Sequence, residues 1–286
     1  MSIAENTMVV NLQIACWSGY KLDKAMSQKV TEDANADNDA ARVNKHLVPK
    51  ESLKEIISAV GALRTHFYAN TLPWGDNGDR LLPRLRYMDF MQEHGQHRQT
   101  FNNAVEEFLT RKYLEARDQA EFRMGDMFNP NDYPPAEALR RKFSVNLDIH
   151  GVATAKDFRV DMNKAEVDSI KRQIEEKNQE RVTAAVADVW TRLNDTITHF
   201  AARMAGDSVF KDATVRNLET IVEMLPALNI TNDPRLEEIR QDINDSLIGF
   251  TAKELRKDDV VRAVAAKDAK RIADQMAGFM AAFNQE

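Results

Sequence analysis

Two hydrophobic periods meet near the middle of the chain. Phe143, Val145, Leu147 and Ile149 alternate with Ser144, Asn146 and Asp148, a period of two that marks a strand with one buried face. Gly151 interrupts the alternation, and Phe158 and Val160 resume it around Asp157, Arg159 and Asp161. The two runs predict an antiparallel hairpin with strands at 142–150 and 156–161, joined by more than a tight turn. From about Asn163 the spacing becomes that of a helix: Ile170, Ile174, Val182, Val186, Val189, Leu193, Ile197, Phe200 and Met204 follow at steps of three and four. No Pro or Gly intervenes before Gly206, so the run predicts a helix of roughly 40 residues, about 60 Å long. Its first half is mostly charged (Lys171, Arg172, Glu175, Glu176, Lys177, Glu180, Arg181) and suits projection or pairing with one partner. A helix bent or broken near Asn178 is the alternative.

The same two periods organise the rest. Val10, Leu12, Ile14 and Cys16 share one face of a strand over 8–17, a third strand for a hairpin that would be marginal alone. Cys16 is expected there as a small core residue. Residues 24–43 are polar and read as a weak surface helix or a partly mobile segment. Leu53, Ile56, Ile57, Val60, Leu63 and Phe67 form an amphipathic helix ending near Asn70. Two Pro and two Gly then make 71–83 a rigid loop without regular structure, in which Trp74 lies beside Asp76, Asp79 and Arg80. Residues 87–123 are helical again, 125–135 form a second Pro-containing loop, and a short helix occupies 136–140. Past the long helix, Val215, Leu218, Val222 and Leu225 mark a helix stopped by Pro226. Asn232-Asp233-Pro234 starts another, which ends at Gly249. The last runs over 259–283, with Val260, Val264, Ile272, Met276, Phe279, Met280 and Phe283 apolar. The fold class is therefore α+β and predominantly helical: a small antiparallel sheet, from the N-terminal strand and the hairpin, packed with long helices. The period changes at 162/163, separating N-terminal helices and sheet (1–162) from a helical bundle (163–286) within one continuous unit.

Composition adds limits. Hydrophobic residues make up 43% and charged residues 29% of the chain, ordinary for a helix-rich soluble protein. The net charge of −6 argues against a general nucleic-acid coat, because phosphate binding needs cationic surface. A single cysteine, Cys16, excludes an internal disulfide and fits a reducing compartment. No apolar run is long enough to span a membrane, and no signal pattern opens the chain, so a cytoplasmic location without membrane contact is expected.

The loops carry a resemblance. The runs Trp17-Ser-Gly-Tyr-Lys-Leu-Asp23, Thr71-Leu-Pro-Trp74, Arg80-Leu-Leu-Pro83, Asp132-Tyr-Pro134, Asp157-Phe-Arg-Val160 and Asn232-Asp-Pro234 resemble a family of uncharacterised tailed-bacteriophage proteins, in order along nearly the whole chain. The resemblance implies a phage-encoded protein working in the bacterial host cytoplasm, and it transfers no activity or residue role.

Candidate chemistry is thin. His94 and His97 are three apart beside Glu93, but metal sites need three or four ligands, and an exposed polar face is the default. Gly75-Asp-Asn-Gly78 lacks the Gly-Lys-Ser/Thr ending of a phosphate loop. No Gly-x-Ser-x-Gly or Cys–His arrangement supplies a nucleophile. Asp157 and Asp161 read as a charged strand edge. No catalytic residue, cofactor or metal ligand is assigned. An interaction surface is expected at Trp74, Asp76, Arg80, Arg84, Arg86 and Tyr87, with a secondary basic patch at Arg140, Arg141 and Lys142 beside Tyr133. Basic residues around an aromatic platform suit a single strand. The competing account puts Trp74, Tyr87 and Phe90 in the core, with the arginines paired to Asp76 and Asp79. The functional expectation is a non-enzymatic phage accessory or assembly protein that binds a partner protein or copies of itself. The Met- and Phe-containing last helix and the charged start of the long helix suit that role. The alternative is a single-stranded DNA-binding factor in phage replication or recombination.

Overall fold

The structure is a computed structural model and describes residues 3–157, 163–206 and 210–283, with side chains to 281. In chain order the elements are α1 (Ile3–Asn6), β1 (Thr7–Ala15), β2 (Tyr20–Asp23), α2 (Lys24–Asp33), β3 (Val43–His46), α3 (Lys54–Asn70), β4 (Leu72–Pro73) and β5 (Asp79–Pro83). Then come α4 (Tyr87–Glu107), α5 (Tyr113–Asp118), α6 (Ala120–Met124), α7 (Ala136–Arg140), β6 (Ser144–His150), α8 (Lys164–Ala205), α9 (Asp212–Leu228), α10 (Pro234–Ser246), α11 (Ala252–Lys257) and α12 (Asp259–Phe283). The protein is α+β and mostly helical, with a small four-stranded sheet in the order β4-β5-β1-β6 and a separate β2-β3 pair.

Contacts divide the chain into two compact units: residues 1–11, 70–88 and 149–286 form one, and residues 12–69 and 89–148 the other. Both are assembled from discontinuous segments.

In the first unit α8 is the organising element. It runs unbroken through Asn178 for 42 residues, about 63 Å at 1.5 Å per residue, and Asn163 caps it by accepting from the Glu166 N–H. Val186, Val189, Trp190, Leu193, Ile197, Phe200 and Met204 are buried, as the helical period requires. They share a core with Leu218, Val222 and Leu225 of α9, Ile239 and Ile243 of α10, and Ala265, Ala269, Ile272 and Met276 of α12. No residue between Lys164 and Arg181 is buried, in keeping with that half's charge. The sheet residues of this unit run antiparallel: Thr7 faces Pro83 and Asn11 faces Asp79, while Leu72 faces Leu81.

That pairing corrects the expectation for 71–83, which is a hairpin and not an irregular loop. Pro73 sits on the edge strand, where its missing N–H breaks no ladder, and Pro83 ends the inner strand. Gly78, at φ +84°, provides the turn, and the Trp74 N–H closes it onto Asp79 O at 3.1 Å. The prolines punctuate the hairpin instead of excluding it. The expected second strand at 156–161 is corrected at its start, where Ala155–Asp157 is a 3-10 turn; Phe158 to Asp161 lie outside the described residues. Pro226 does not stop α9 but sits inside it, two residues before the end.

The second unit is built around rings. Trp17, Phe101, Phe108, Tyr113 and Phe143 are buried with Ile56, Leu63 and Leu139. Trp17 meets Tyr113 edge-on at 5.8 Å between centroids, a favourable geometry for two quadrupoles. The Tyr113 hydroxyl donates to Pro134 O at 2.6 Å. A π-helical turn, Phe108–Lys112, links α4 to α5. The later part of β1 lies beside β6, with Gln13 Nε2 donating to Asp148 Oδ2 at 3.0 Å, so the expected pairing of the N-terminal strand with 142–150 is present. Residues 24–43 hold α2 and lead into β3, which pairs antiparallel with β2. Cys16 is exposed, a further correction: the strand ends at Ala15 and it is Trp17 that turns into the core.

Candidate binding cleft

Of the residues expected at an interaction surface, Trp74 is 4% exposed and packs with Val9, Leu72, Leu81 and the α8 stripe. Arg181 of α8 stands over its ring at 5.6 Å, within cation–π range. Trp74 therefore staples the hairpin to the core and presents no anchor. Arg80 Nε donates to Thr71 Oγ1 at 2.7 Å and its Nη2 to Thr71 O at 2.8 Å. Arg192 Nη2 reaches the same carbonyl at 2.9 Å. Arg86 donates to Asn70 Oδ1 at 3.0 and 3.2 Å. Two guanidiniums are thus committed to tying the ends of the hairpin to the chain that precedes it. Asp79 Oδ1 accepts from Asn11 Nδ2 at 2.9 Å, Asp76 is exposed at the turn, and Tyr87 is half-buried.

Arg84 is different. It is exposed and makes no hydrogen bond or ion pair among the described residues. It stands at a cleft of about 280 Å³ in the first unit. Pro83, Leu85, Pro226, Ala227 and Ile230 give this cleft an apolar lining, and Asn6, Asn229 and Asn232 give it amides. Its far wall is fixed by local chemistry. Pro226 lies in the last turn of α9, its ring fixing the backbone there, and Asn229 follows the helix end. Asn229 then clamps residue 233 from both sides, accepting from Asp233 N at 2.7 Å and donating to Asp233 O at 2.9 Å. Asn232 adopts φ +55°, and Asp233 caps α10 through the Arg235 N–H at 2.9 Å. Beside Arg84, Leu85 is 71% and Met88 75% exposed. Arg80-Leu-Leu-Pro83 and Asn232-Asp-Pro234, far apart in sequence, thus flank one cleft.

The secondary basic patch does not assemble. Arg140 pairs with Glu106 and approaches Glu137 at 3.6 Å, and the Glu106 hydrogen bond holds its guanidinium above the usual range. Arg141 and Lys142 are exposed, but Tyr133 is buried, so no aromatic platform accompanies them.

Sequence reasoning missed a buried ion cluster in the second unit. Lys45 Nζ, on a side chain 8% exposed, lies 2.6 Å from Asp132 Oδ2 and 3.3 Å from Asp23 Oδ2, and donates to Met127 O at 3.1 Å. Lys21 also pairs with Asp132. Burial pushes the Asp132 carboxyl up, but the hydrogen bonds from Lys21 and Lys45 outweigh it and leave it below its ordinary value. Asp23 is held low chiefly by the Met26 N–H, and Lys45 is raised by Asp132. Lys45 thus faces two carboxylates and a carbonyl, which makes the cluster a structural clamp on the β2-β3 pair. The only trace in sequence was that Lys21, Asp23 and Asp132 fall within the runs Trp17–Asp23 and Asp132–Pro134.

The histidines also differ from expectation. His94 is buried, not part of an exposed polar face; its burial, then the neighbouring His66, Arg98 and His97, lower its pKa to about 4. His66 Nδ1 lies 3.2 Å from Glu93 Oε2. Among the described residues no group of His, Cys, Asp and Glu is arranged to hold a metal ion, and no helix is long and apolar enough to cross a membrane.

The fold and cleft define a mostly helical α+β protein with an open, singly cationic cleft. Comparison with known proteins brings no match: no family model, curated protein or solved structure is similar to this chain.

Proposed function

We propose that the chain is a non-enzymatic accessory or assembly protein of a tailed phage, working in the host cytoplasm by binding another protein. The observation that carries this reading is the juxtaposition of Leu85 and Met88, 71% and 75% exposed, with the unpaired Arg84 at a cleft. Exposed apolar side chains beside an arginine are a frequent composition of protein interfaces, where the partner supplies the counter-ion. The single-strand DNA reading loses its platforms, since Trp74 and Tyr133 are buried and Arg80 and Arg86 are engaged. The test is capture by the immobilised full chain from the bacterial cells in which it is made, with nuclease treatment. We expect the same partners with and without nuclease, and their loss in Leu85→Ser/Met88→Ser at unchanged melting temperature. Capture that vanishes on nuclease treatment would move the function to DNA binding. Capture indifferent to the double substitution would remove this surface.

A further inference from the structure

We propose that the Arg84 cleft takes a segment of a partner protein in which a carboxylate side chain stands next to an apolar one; this rests on the protein-binding reading above. The chain carries 45 acidic against 39 basic residues, yet no Asp or Glu lines the cleft. Arg84 has no counter-ion among the described residues, so the one charged residue lining the cleft is a cation, on a protein whose net charge is −6. A planar guanidinium matches a carboxylate through two parallel N–H donors. The apolar half of the recognition comes from Ile230, 8% exposed at the floor, and from the rigid rings of Pro83 and Pro226. At about 280 Å³ the space lies just below the usual range for small-molecule sites, and suits a side chain or two of an extended segment. The wall is set before binding by Pro226, the Asn229–Asp233 clamp and the Asn232 reversal, so little ordering is lost on docking.

A nucleic-acid strand fits less well. Tracking phosphates needs several cations and exposed aromatic faces, whereas the neighbouring Arg80 and Arg86 are tied to Thr71 and Asn70.

The experiment selects random twelve-residue peptides displayed on a surface against the immobilised full chain. Enriched peptides should place Asp or Glu within one or two residues of Leu, Ile, Met or Phe. Their binding should fall about tenfold or more, some 1.4 kcal/mol, in Arg84→Glu. Changing the peptide's acid to Lys should restore binding to Arg84→Glu while abolishing it to the unaltered chain. Arg84 has no structural partner, so the variant should keep its melting temperature; Leu85→Ser, read on the same peptides, covers the case in which it does not. Peptides without an acid, or binding that ignores both substitutions, would overturn the proposal. So would an Arg84-dependent affinity for oligothymidine in place of peptides, or an Arg84-dependent dimer of the chain that excludes the peptides. Nuclease-resistant, Leu85-dependent capture combined with no charge dependence would sink this inference alone and leave the protein-binding function standing.

Discussion

The two units close their cores by different physics. In the first, α8 lays a stripe that is aliphatic but for Trp190 and Phe200 against Ala265 and Ala269 of α12, and the closeness of two helices supplies the burial. In the second, rings meet rings: Trp17 lies 6.0 Å from Phe108, and Phe108 lies 5.9 Å from Phe143. Those rings come with polar obligations, because the Tyr113 hydroxyl, Lys45 and Asp132 are carried inward and must be paired. The first core follows pattern and, among the described residues, buries no ionisable side chain. An aromatic core stitched by loops needs buried hydrogen bonds and ions, and inherits their acid sensitivity.

The largest expected effect tests the first core. Trp74 pins the β4-β5 hairpin onto α8, and Trp74→Ala should cost about 3–5 kcal/mol, seen in thermal or urea unfolding. Partner capture by the folded fraction should survive, because the ring faces inward. An unchanged melting temperature with lost capture would make Trp74 an anchor and reverse its assignment.

Next comes the ionic clamp of the second unit. Asp132→Ala leaves Lys45 and Lys21 without their shared carboxylate and should cost about 3 kcal/mol, since stranding a buried charge is worse than deleting the pair. Asp23 and Met127 O remain to Lys45, which keeps the loss from being larger. Lys45→Met in the same chain should recover part of it. If the double variant is no better than the single one, the cluster is held by something other than charge. The acid limb has a defined sign. Asp132 and Asp23 have depressed pKa values, so their contribution is present above the ordinary carboxylate value of 3.8 and is lost as pH falls through the lower folded-state value.

Legibility follows the same divide. The α8 stripe from Val186 to Met204, the α10 start at Asn232-Asp-Pro234 and the 259–283 helix all follow from spacing, because a helix writes its buried face into local sequence. The β4-β5 hairpin was hidden by its prolines, which signal a break locally although they sit where a sheet tolerates them. The β2-β3 pair was hidden because its stabilising partner, Asp132, is 87 residues from Lys45 in sequence and no local period announces it. Arg84 could be named as a candidate from sequence, but not separated from Arg80 and Arg86. Only the positions of Thr71 and Asn70 show which guanidiniums are spent.

A smaller effect belongs to His94. Its folded-state pKa of about 4 lies below the ordinary 6.5 because burial disfavours the cation. The unfolded chain therefore binds the proton first, and stability held above pH 6.5 is lost as pH falls towards 4. At pH 5 the loss is about 2 kcal/mol at 1.36 kcal/mol per unit. His94→Phe should flatten the melting-temperature profile between pH 4 and 6.5. The buried His66 and the more exposed His97 and Arg98, which also neighbour this position, remain in that variant, so a slope that persists unchanged would remove His94 as its source.

The smallest effect compares the units on equal terms. Gly61 in α3 and Gly278 in α12 are exposed, and a Cβ built on either meets nothing within 4 Å. Each Gly→Ala substitution removes backbone freedom from the unfolded chain without a clash, so each should stabilise its helix by about 0.5–1 kcal/mol. Gly278 lies within two turns of the end of α12, where fraying already relieves part of the entropic cost, so its gain should fall at the low end. Gly61 is central in α3 and should show the fuller effect. Hydrogen exchange of α3 and α12 amides in the two variants measures each gain where it arises. A gain in α3 that also slows exchange at Lys45 would show that the aromatic core and the ionic clamp open as one cooperative unit. A gain confined to α3 would show that the clamp opens on its own, ahead of the rings it covers.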